Sequence, residues 1–271
     1  MMWEMKKLED VKALVIDLDG CLYVGNTPIP GAPLAVKRLR SMGVRLIFLT
    51  NNSTLTRERY REKLAAMGVE VSVDEILTSG VVAARYISRK SPRAKVLPVA
   101  EEGFTQEAEN LGLIMLTPDR WREAEYVVVG LDRKLTYEKL AKASLAITAG
   151  AHFVATNLDN VYPSEEGFLP GAGSIASMIT TATGVKPYSV GKPAKEIAMQ
   201  ALEAVGASSE QTVFVGDRVD TDVIAAKAVG CRSVLVRTGA FKMFENKANE
   251  ADLVLDSIAD LPAAIDYVLD L

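Results

Sequence analysis

Histidine occurs once in the 271 residues, at His152, and cysteine twice, at Cys21 and Cys231. A lone histidine gives little support to Ser-His-Asp, Cys-His or histidine-rich metal chemistry. It precedes an apolar stretch and reads as structural. Two distant cysteines make neither a disulfide framework nor a zinc site, and Cys21 reads as a small buried filler. No apolar run is long enough to span a bilayer. Residues 1–10 lack the apolar stretch of a secretion signal, so the expected compartment is the cytoplasm. A net charge of −4 and a pI near 5.3 argue against nucleic acid or an anionic membrane as partner. Internal repeats and low-complexity segments are lacking too. Any chemistry must run on carboxylates, lysines and hydroxyls.

What is present suits a globular enzyme. Hydrophobic residues make up 49% of the chain and charged residues 24%, ordinary for a folded protein. The length suits one large domain or two modest ones. The stretch Ala13 to Leu22, Ala-Leu-Val-Ile-Asp-Leu-Asp-Gly-Cys-Leu, organises the rest. Its apolar run predicts a buried parallel strand. Asp17 and Asp19 then stand at the carboxyl end, where open α/β sheets place their ligands. Residues two apart on an extended segment share a face, and Gly20 lets the backbone turn away.

The same pattern recurs along the chain. After Pro33, Leu34 and Leu39 carry an apolar stripe to Gly43, predicting a helix. Val44–Leu49 predicts a second buried strand, ending in Thr50, Asn51, Asn52 and Ser53. Helices are expected over 57–67 and 80–89, with a short link over 75–79. Strands over 95–99, 113–116, 126–130 and 153–155, interleaved with helices over 102–111, 136–149 and 174–183, predict an α/β block of its own. Residues 163–173 read as loop. Gly171-Ala172-Gly173-Ser174-Ile175-Ala176 superficially fits a dinucleotide fingerprint, but no clear strand precedes it, so it reads as a turn into a helix. Gly191-Lys192-Pro193 comes next, with Pro193 expected to start a helix that ends at Gly206. A strand over 212–215 ends in Gly216-Asp217-Arg218-Val219-Asp220-Thr221-Asp222, followed by a helix to Val229. A strand over 233–236, another over 253–255 and a helix over 261–269 complete the chain.

Three strands therefore end in polar clusters: Asp17/Asp19, Thr50/Asn51 and Asp217/Asp222. In a doubly wound sheet these ends lie on one edge, and Lys192 is placed to join them. Several carboxylates with neither histidine nor cysteine suit a hard cation, Mg²⁺ above all, because unneutralised carboxylates repel one another. Such parts suit phosphoryl transfer. One Asp attacks phosphorus, a second carboxyl handles the proton, and cation, Lys and Thr hold the phosphoryl oxygens. Singly, each cluster has a plainer reading: Thr50–Ser53 as a helix cap, Lys192 as a surface lysine, Asp220 and Asp222 as first-turn acids.

Taken in order, Asp17-Leu18-Asp19-Gly20, Thr50-Asn51-Asn52, Lys192-Pro193 and Gly216-Asp217…Thr221-Asp222 resemble the four motifs of the haloacid-dehalogenase-like phosphohydrolases. Thr-Asn-Asn, Gly-Lys-Pro and Gly-Asp-Arg-x-x-Thr-Asp together resemble its NagD-type, 4-nitrophenylphosphatase-like branch. The resemblance implies a Rossmann-like doubly wound parallel sheet core from residues 1–80 and 187–271, with an inserted α/β cap over 81–186 that selects substrate. It implies Asp17 as nucleophile, Asp19 as general acid/base, Thr50 and Lys192 as holders of the phosphoryl group, and Asn51 and Asn52 as substrate-binding residues with them. It implies Mg²⁺ held by Asp17, the Asp19 carbonyl and Asp217, with Asp222 adjacent. The expected activity is hydrolysis of a small soluble phosphate ester through an aspartyl-phosphate, and the expected oligomer is a homodimer through the cap. Alternatives on the same residues are a phosphotransferase or mutase, and a non-catalytic Mg²⁺/phosphate-binding regulator. Asp159 and Tyr162 read either as part of the cap's substrate face or as plain loop.

Overall fold

A computed structural model describes residue 8, residues 10–164 and residues 167–269. The leader reading concerns residues 1–10, of which 1–7 and 9 lie outside the described residues. In chain order the sheet strands are β1 (Ala13–Asp17), β2 (Arg45–Thr50), β3 (Ile76–Thr78), β4 (Lys95–Val99), β5 (Ile114–Met115), β6 (Tyr126–Val129), β7 (His152–Ala155), β8 (Tyr188–Ser189), β9 (Thr212–Gly216), β10 (Arg232–Val236) and β11 (Leu253–Leu255). The α-helices are α1 (Ala32–Ser41), α2 (Arg57–Ala66), α3 (Ser79–Lys90), α4 (Glu102–Asn110), α5 (Tyr137–Thr148), α6 (Ala172–Thr183), α7 (Lys195–Val205), α8 (Ile224–Ala228) and α9 (Leu261–Leu269). The chain divides into two compact units. One comprises Met1–Thr50, Tyr60–Leu77 and Lys192–Leu271; the other comprises Asn51–Arg59 and Thr78–Gly191.

The first unit is a Rossmann-like α/β layer. Its six-stranded sheet has the order β11-β10-β9-β1-β2-β3, parallel from β11 to β2. β1 and β9 are buried along their whole length, as expected of central parallel strands with continuous apolar runs. Leu14, Ile16, Leu39 and Leu49 are almost wholly buried, each contributing about 1.5–3 kcal/mol of transfer free energy. From β1 the chain proceeds to β2 and β3 on one side, then returns as β9 on the other. The direction of winding reverses between β1 and β9, which is where such sheets place ligands. Ala13–Ile16 stand opposite Thr212–Val215, and Ala13–Asp17 opposite Arg45–Leu49. Asp17, Thr50 and Asp217 therefore leave the sheet at one level.

Two helix expectations in this unit are corrected. Pro193 does not start a helix: its peptide bond with Lys192 is cis, Ala194 is the N-cap, and α7 begins at Lys195. The segment after Asp217 is not one regular helix. It is a π-helical turn over Val219–Val223 running into the short α8, a feature that frequently occurs at functional sites.

The second unit has its own parallel sheet, β8-β7-β6-β4-β5. Val127, Val129, Phe153, Ile175 and Ile179 belong to its core. Thr136 caps α5 by accepting the Lys139 N–H at 3.2 Å. The expected loop over 163–173 is instead largely an antiparallel hairpin, Val161–Ser164 with Gly167–Pro170, and α6 begins at Ala172. Pro163 and Pro170 disguised it, yet a two-stranded ribbon has free edges on which proline is tolerated. The glycines of the false fingerprint serve close packing. A Cβ at Gly171 would lie 2.3 Å from the Asp159 carbonyl oxygen, and one at Gly173 2.3 Å from that of Leu158. Among the described residues, no helix is long and apolar enough to cross a membrane.

Candidate active site

Six of the eight residues singled out in the sequence meet in the first unit, at the carboxyl edge of its sheet. Asp17 ends β1, Thr50 ends β2, and Asp217 follows β9. Lys192 donates from Nζ to Asp17 Oδ1 and, at 2.6 Å, to Asp222 Oδ1. Asp17, Asp217 and Asp222 each offer an oxygen, all within 4.8 Å of one another. All three, with Lys192 and Thr50, are buried. Asp19 is half-buried; its Oδ2 lies 3.4 Å from both the Thr50 and the Tyr23 hydroxyls, each placed to donate to it.

The neighbours of each carboxylate fix which oxygen is free. Asp222 Oδ2 accepts the Arg218 N–H at 3.2 Å, and the Thr221 hydroxyl stands at 3.3 Å. The π-helical turn brings it back onto β9: a Cβ at Gly216 would sit 2.2 Å from Asp222 Cγ. Asp217 Oδ2 accepts the Ala240 N–H at 2.6 Å. Its Oδ1 is buried without a hydrogen-bond partner, a costly condition for a carboxylate oxygen.

Electrostatics mark the same atoms. Burial, followed by the charge of Asp222, pushes the Asp217 carboxyl up to about 7. Burial raises Asp17 well above the usual carboxylate range, with Lys192 opposing and the charges of Asp222 and Asp217 adding to it. Burial also raises Asp19, against the nearby positive charge of Lys63. Burial alone would pull Lys192 down, but Asp17 and Asp222 hold it above its ordinary value. Fully ionised, three carboxylates and one ammonium carry two net negative charges, so one divalent cation would bring the cluster to neutrality. An all-oxygen donor set with an orphaned Oδ1 fits a hard cation.

Asn51 and Asn52 belong to the second unit. Asn51 Nδ2 donates to Asp159 Oδ2 at 2.9 Å, and the Asn51 carbonyl accepts from Ser79 Oγ at 2.5 Å and Asn157 Nδ2 at 2.7 Å. Asn52 Oδ1 accepts from the backbone N–H and hydroxyl of Thr54 at 3.1 and 2.8 Å, forming an Asx turn. Several residues at the first unit's site carry no sequence signal of their role. Tyr23 lies under the Lys63 ammonium, 3.9 Å from its ring centroid. The turn Thr238-Gly239-Ala240 touches Gly20 and Asp217. Only the position of Thr238-Gly239 after an apolar strand could have drawn attention to that turn.

Residues 14–114 match the family model of haloacid dehalogenase-like hydrolases, and residues 189–261 a HAD-hydrolase-like model. An acid sugar phosphatase of Staphylococcus aureus (strain MRSA252) is 38% identical over 258 residues, 95% of this chain and 98% of the other. The chain belongs to the haloacid-dehalogenase-like hydrolases. Among solved structures, a p-nitrophenyl phosphatase from Archaeoglobus fulgidus superposes with a TM-score of 0.88 at 39% identity, covering 94% of this chain and 99% of that one. A 4-nitrophenylphosphatase from Thermotoga maritima gives a TM-score of 0.88 at 32% identity, over 97% and 99%. The likeness runs across both compact units. This haloacid-dehalogenase-like hydrolase is a phosphatase of the NagD-like branch.

Proposed function

We propose that this phosphatase is a Mg²⁺-dependent phosphomonoesterase working through a phosphorylated Asp17. The observation that carries the reading is the buried Asp17/Asp217/Asp222 cluster, two charges short of neutrality, with one oxygen of Asp217 unpaired. Asp17, the Asp19 carbonyl and Asp217 would hold the cation, with Asp222 beside them. When bound, Mg²⁺ supplies positive charge against the phosphoryl oxygens and keeps the carboxylates ionised.

The chain's own groups do the rest. A carboxylate oxygen of Asp17 forms a bond to phosphorus as the ester P–O bond breaks. Asp19 gives its proton to the departing alkoxide or phenoxide oxygen. Asp19 then takes a proton from water, whose oxygen bonds to phosphorus while the Asp17–phosphorus linkage breaks, releasing phosphate. Its half-buried position and raised affinity for a proton suit both tasks. Lys192 and the Thr50 hydroxyl hold the phosphoryl oxygens. In this proposal Asn51 and Asn52 act on the substrate through the shape of the loop after Thr50, since their side chains are engaged within the second unit.

The second unit is proposed as the selecting cap and as the homodimer contact; its hairpin leaves Val161 and Phe168 exposed. The proposed setting is the cytoplasm, in keeping with two free cysteines. The acid sugar phosphatase relatives put sugar phosphates first among substrates to test.

The test is phosphate release from 4-nitrophenyl phosphate and a panel of sugar phosphates, with Mg²⁺ and with chelator. Metal-dependent turnover is expected, along with loss on the order of 10³-fold or more in Asp17→Asn. A folded Asp17→Asn protein with undiminished turnover would falsify the mechanism.

A further inference from the structure

The turn after β10 has no part in the chemistry proposed above, yet it contacts Asp217, one of the groups that would hold the cation, and Gly20, the residue after Asp19. The Thr238 hydroxyl donates to the Gly20 carbonyl at 2.6 Å. The Ala240 N–H donates to Asp217 Oδ2 at 2.6 Å. Between them Gly239, at φ +58°, leaves no room for a side chain: a Cβ there would lie 2.1 Å from Asp217 Oδ2 and 2.5 Å from Gly20 Cα.

These contacts have geometric consequences. The Gly20 N–H is tied to the Tyr23 carbonyl at 2.7 Å. A trans peptide is planar, so that bond also sets the direction of the Asp19 carbonyl on the same plane. Thr238 fixes the next peptide through its carbonyl. Gly20 is thus pinned on both sides: the Asp19 carbonyl cannot swing without breaking the Gly20 N–H bond, and Thr238 anchors the same residue from its carbonyl side. At Asp217 the turn occupies Oδ2, and the unpaired atom is Oδ1.

We propose that Thr238 is a positioning residue for the divalent cation: through the turn 238–240 it fixes the Asp19 carbonyl and leaves Asp217 Oδ1 as the ligand atom. The inference rests on the reading of the cluster as a Mg²⁺ site. It adds a specificity device to that site. Mg²⁺ demands near-ideal octahedral geometry, whereas Ca²⁺ accepts irregular shells at longer distances. A clamp of this kind favours the smaller ion, and loosening it should cost Mg²⁺ more than Ca²⁺.

The test is calorimetric titration of the metal-free, full-length protein with Mg²⁺ and separately with Ca²⁺, in the absence of substrate. Thr238→Val is nearly isosteric at a half-exposed position and removes only the donor. It should weaken Mg²⁺ binding about 10- to 100-fold, the usual loss when a residue that orients a metal ligand is removed. Ca²⁺ binding should weaken by clearly less, and Thr238→Ser should restore Mg²⁺ affinity. Thr238→Ala, with the same expectation, serves if the valine variant does not fold. Asp217→Asn separates the two levels of the argument. If it binds Mg²⁺ as the parent does, the assignment of the cation site is wrong. If it loses Mg²⁺ while Thr238→Val and Thr238→Ala keep it, only the role given to Thr238 is overturned. Equal losses of Mg²⁺ and Ca²⁺, unrescued by serine, would also overturn it, as would a lowered melting temperature with unchanged affinity.

Discussion

Raising the pH from about 5 to about 8 should destabilise the metal-free protein and leave the Mg²⁺-loaded protein far less affected. In the folded chain the Asp217 carboxyl is pushed from 3.8 up to about 7, first by burial and then by the charge of Asp222. Between those values the folded protein holds a proton that the unfolded chain has released. The stability this confers is fully present below about pH 4 and is lost as pH rises through about 7. The full shift of roughly three units at about 1.36 kcal/mol each is worth about 4 kcal/mol; about 3 kcal/mol of it is lost between about pH 5 and about pH 8, a large share of the 5–15 kcal/mol typical of a folded domain. Asp17 and Asp19 are shifted in the same direction. A bound cation replaces the proton and stabilises the folded state by mass action. The gap in melting temperature between Mg²⁺ and chelator should therefore widen as pH rises. Thermal melts across this range, at constant ionic strength, measure it. Titrations in buffers of different ionisation enthalpy add a second reading: Mg²⁺ binding should expel protons, and more of them at about pH 6 than at about pH 8. Asp217→Asn should be more stable than the parent at about pH 8 in chelator, although it removes a proposed ligand. A Mg²⁺ shift independent of pH, with no proton expelled, would refute the reasoning, because the carboxylates would then be ionised without a cation.

Two substitutions probe the division of labour. In Asp19→Asn, turnover should fall about 10²- to 10⁴-fold, and more for alkyl than for 4-nitrophenyl esters, because nitrophenolate departs without a proton. With the nitrophenyl ester, phosphorylated Asp17 should then accumulate, seen as a burst and trapped by acid quench; equal losses for both ester types would remove Asp19 from the acid role. Lys192→Met leaves Asp17 and Asp222 without their shared cation. Turnover at saturating Mg²⁺ should fall about 10²- to 10³-fold, and the metal-free protein should lose about 3–5 kcal/mol at neutral pH. Parent-like stability in chelator would show that the two carboxyls are protonated rather than paired.

The central strands were legible because parallel strands buried on both faces appear as unbroken apolar runs, and Ala13–Ile16 and Thr212–Val215 are such runs ended abruptly by acids. Their register then aligns Asp17, Thr50 and Asp217 at one level, whereas Asp222 reaches them through the π-helical turn and Lys192 through the segment before α7, neither of which is legible in strand ends. The Thr50-Asn51-Asn52 motif names Asn51 and Asn52 as substrate-binding by resemblance, but leaves no trace of the bonds their side chains make within the second unit, to Asp159 and Thr54. The hairpin around 163–170 was hidden by prolines that count against strands in a sheet but not at the free edges of a ribbon.

The turn at 238–240 was illegible for a different reason. A hydroxyl bonded to a backbone carbonyl 218 positions away leaves no spacing or periodicity in the sequence. Glycine is the residue that could have betrayed it, and here glycine is ambiguous. Gly20 and Gly239 have positive φ, as do Gly25, Gly43 and Gly184, which have open space where a Cβ would go. Gly216 does not have positive φ, yet it stands closest to Asp222. Backbone conformation therefore does not separate the glycines that matter to the site from those that merely turn the chain. What separates them is a carboxylate in the space that a side chain would need: Asp217 at Gly20 and Gly239, Asp222 at Gly216. Buried carboxylates packed this tightly have little freedom to turn away from one another, so their repulsion must be met by protons or by a cation rather than by movement. The glycines thus make the cluster dependent on its counter-charge, and they link its close packing to the pH dependence expected of the metal-free protein.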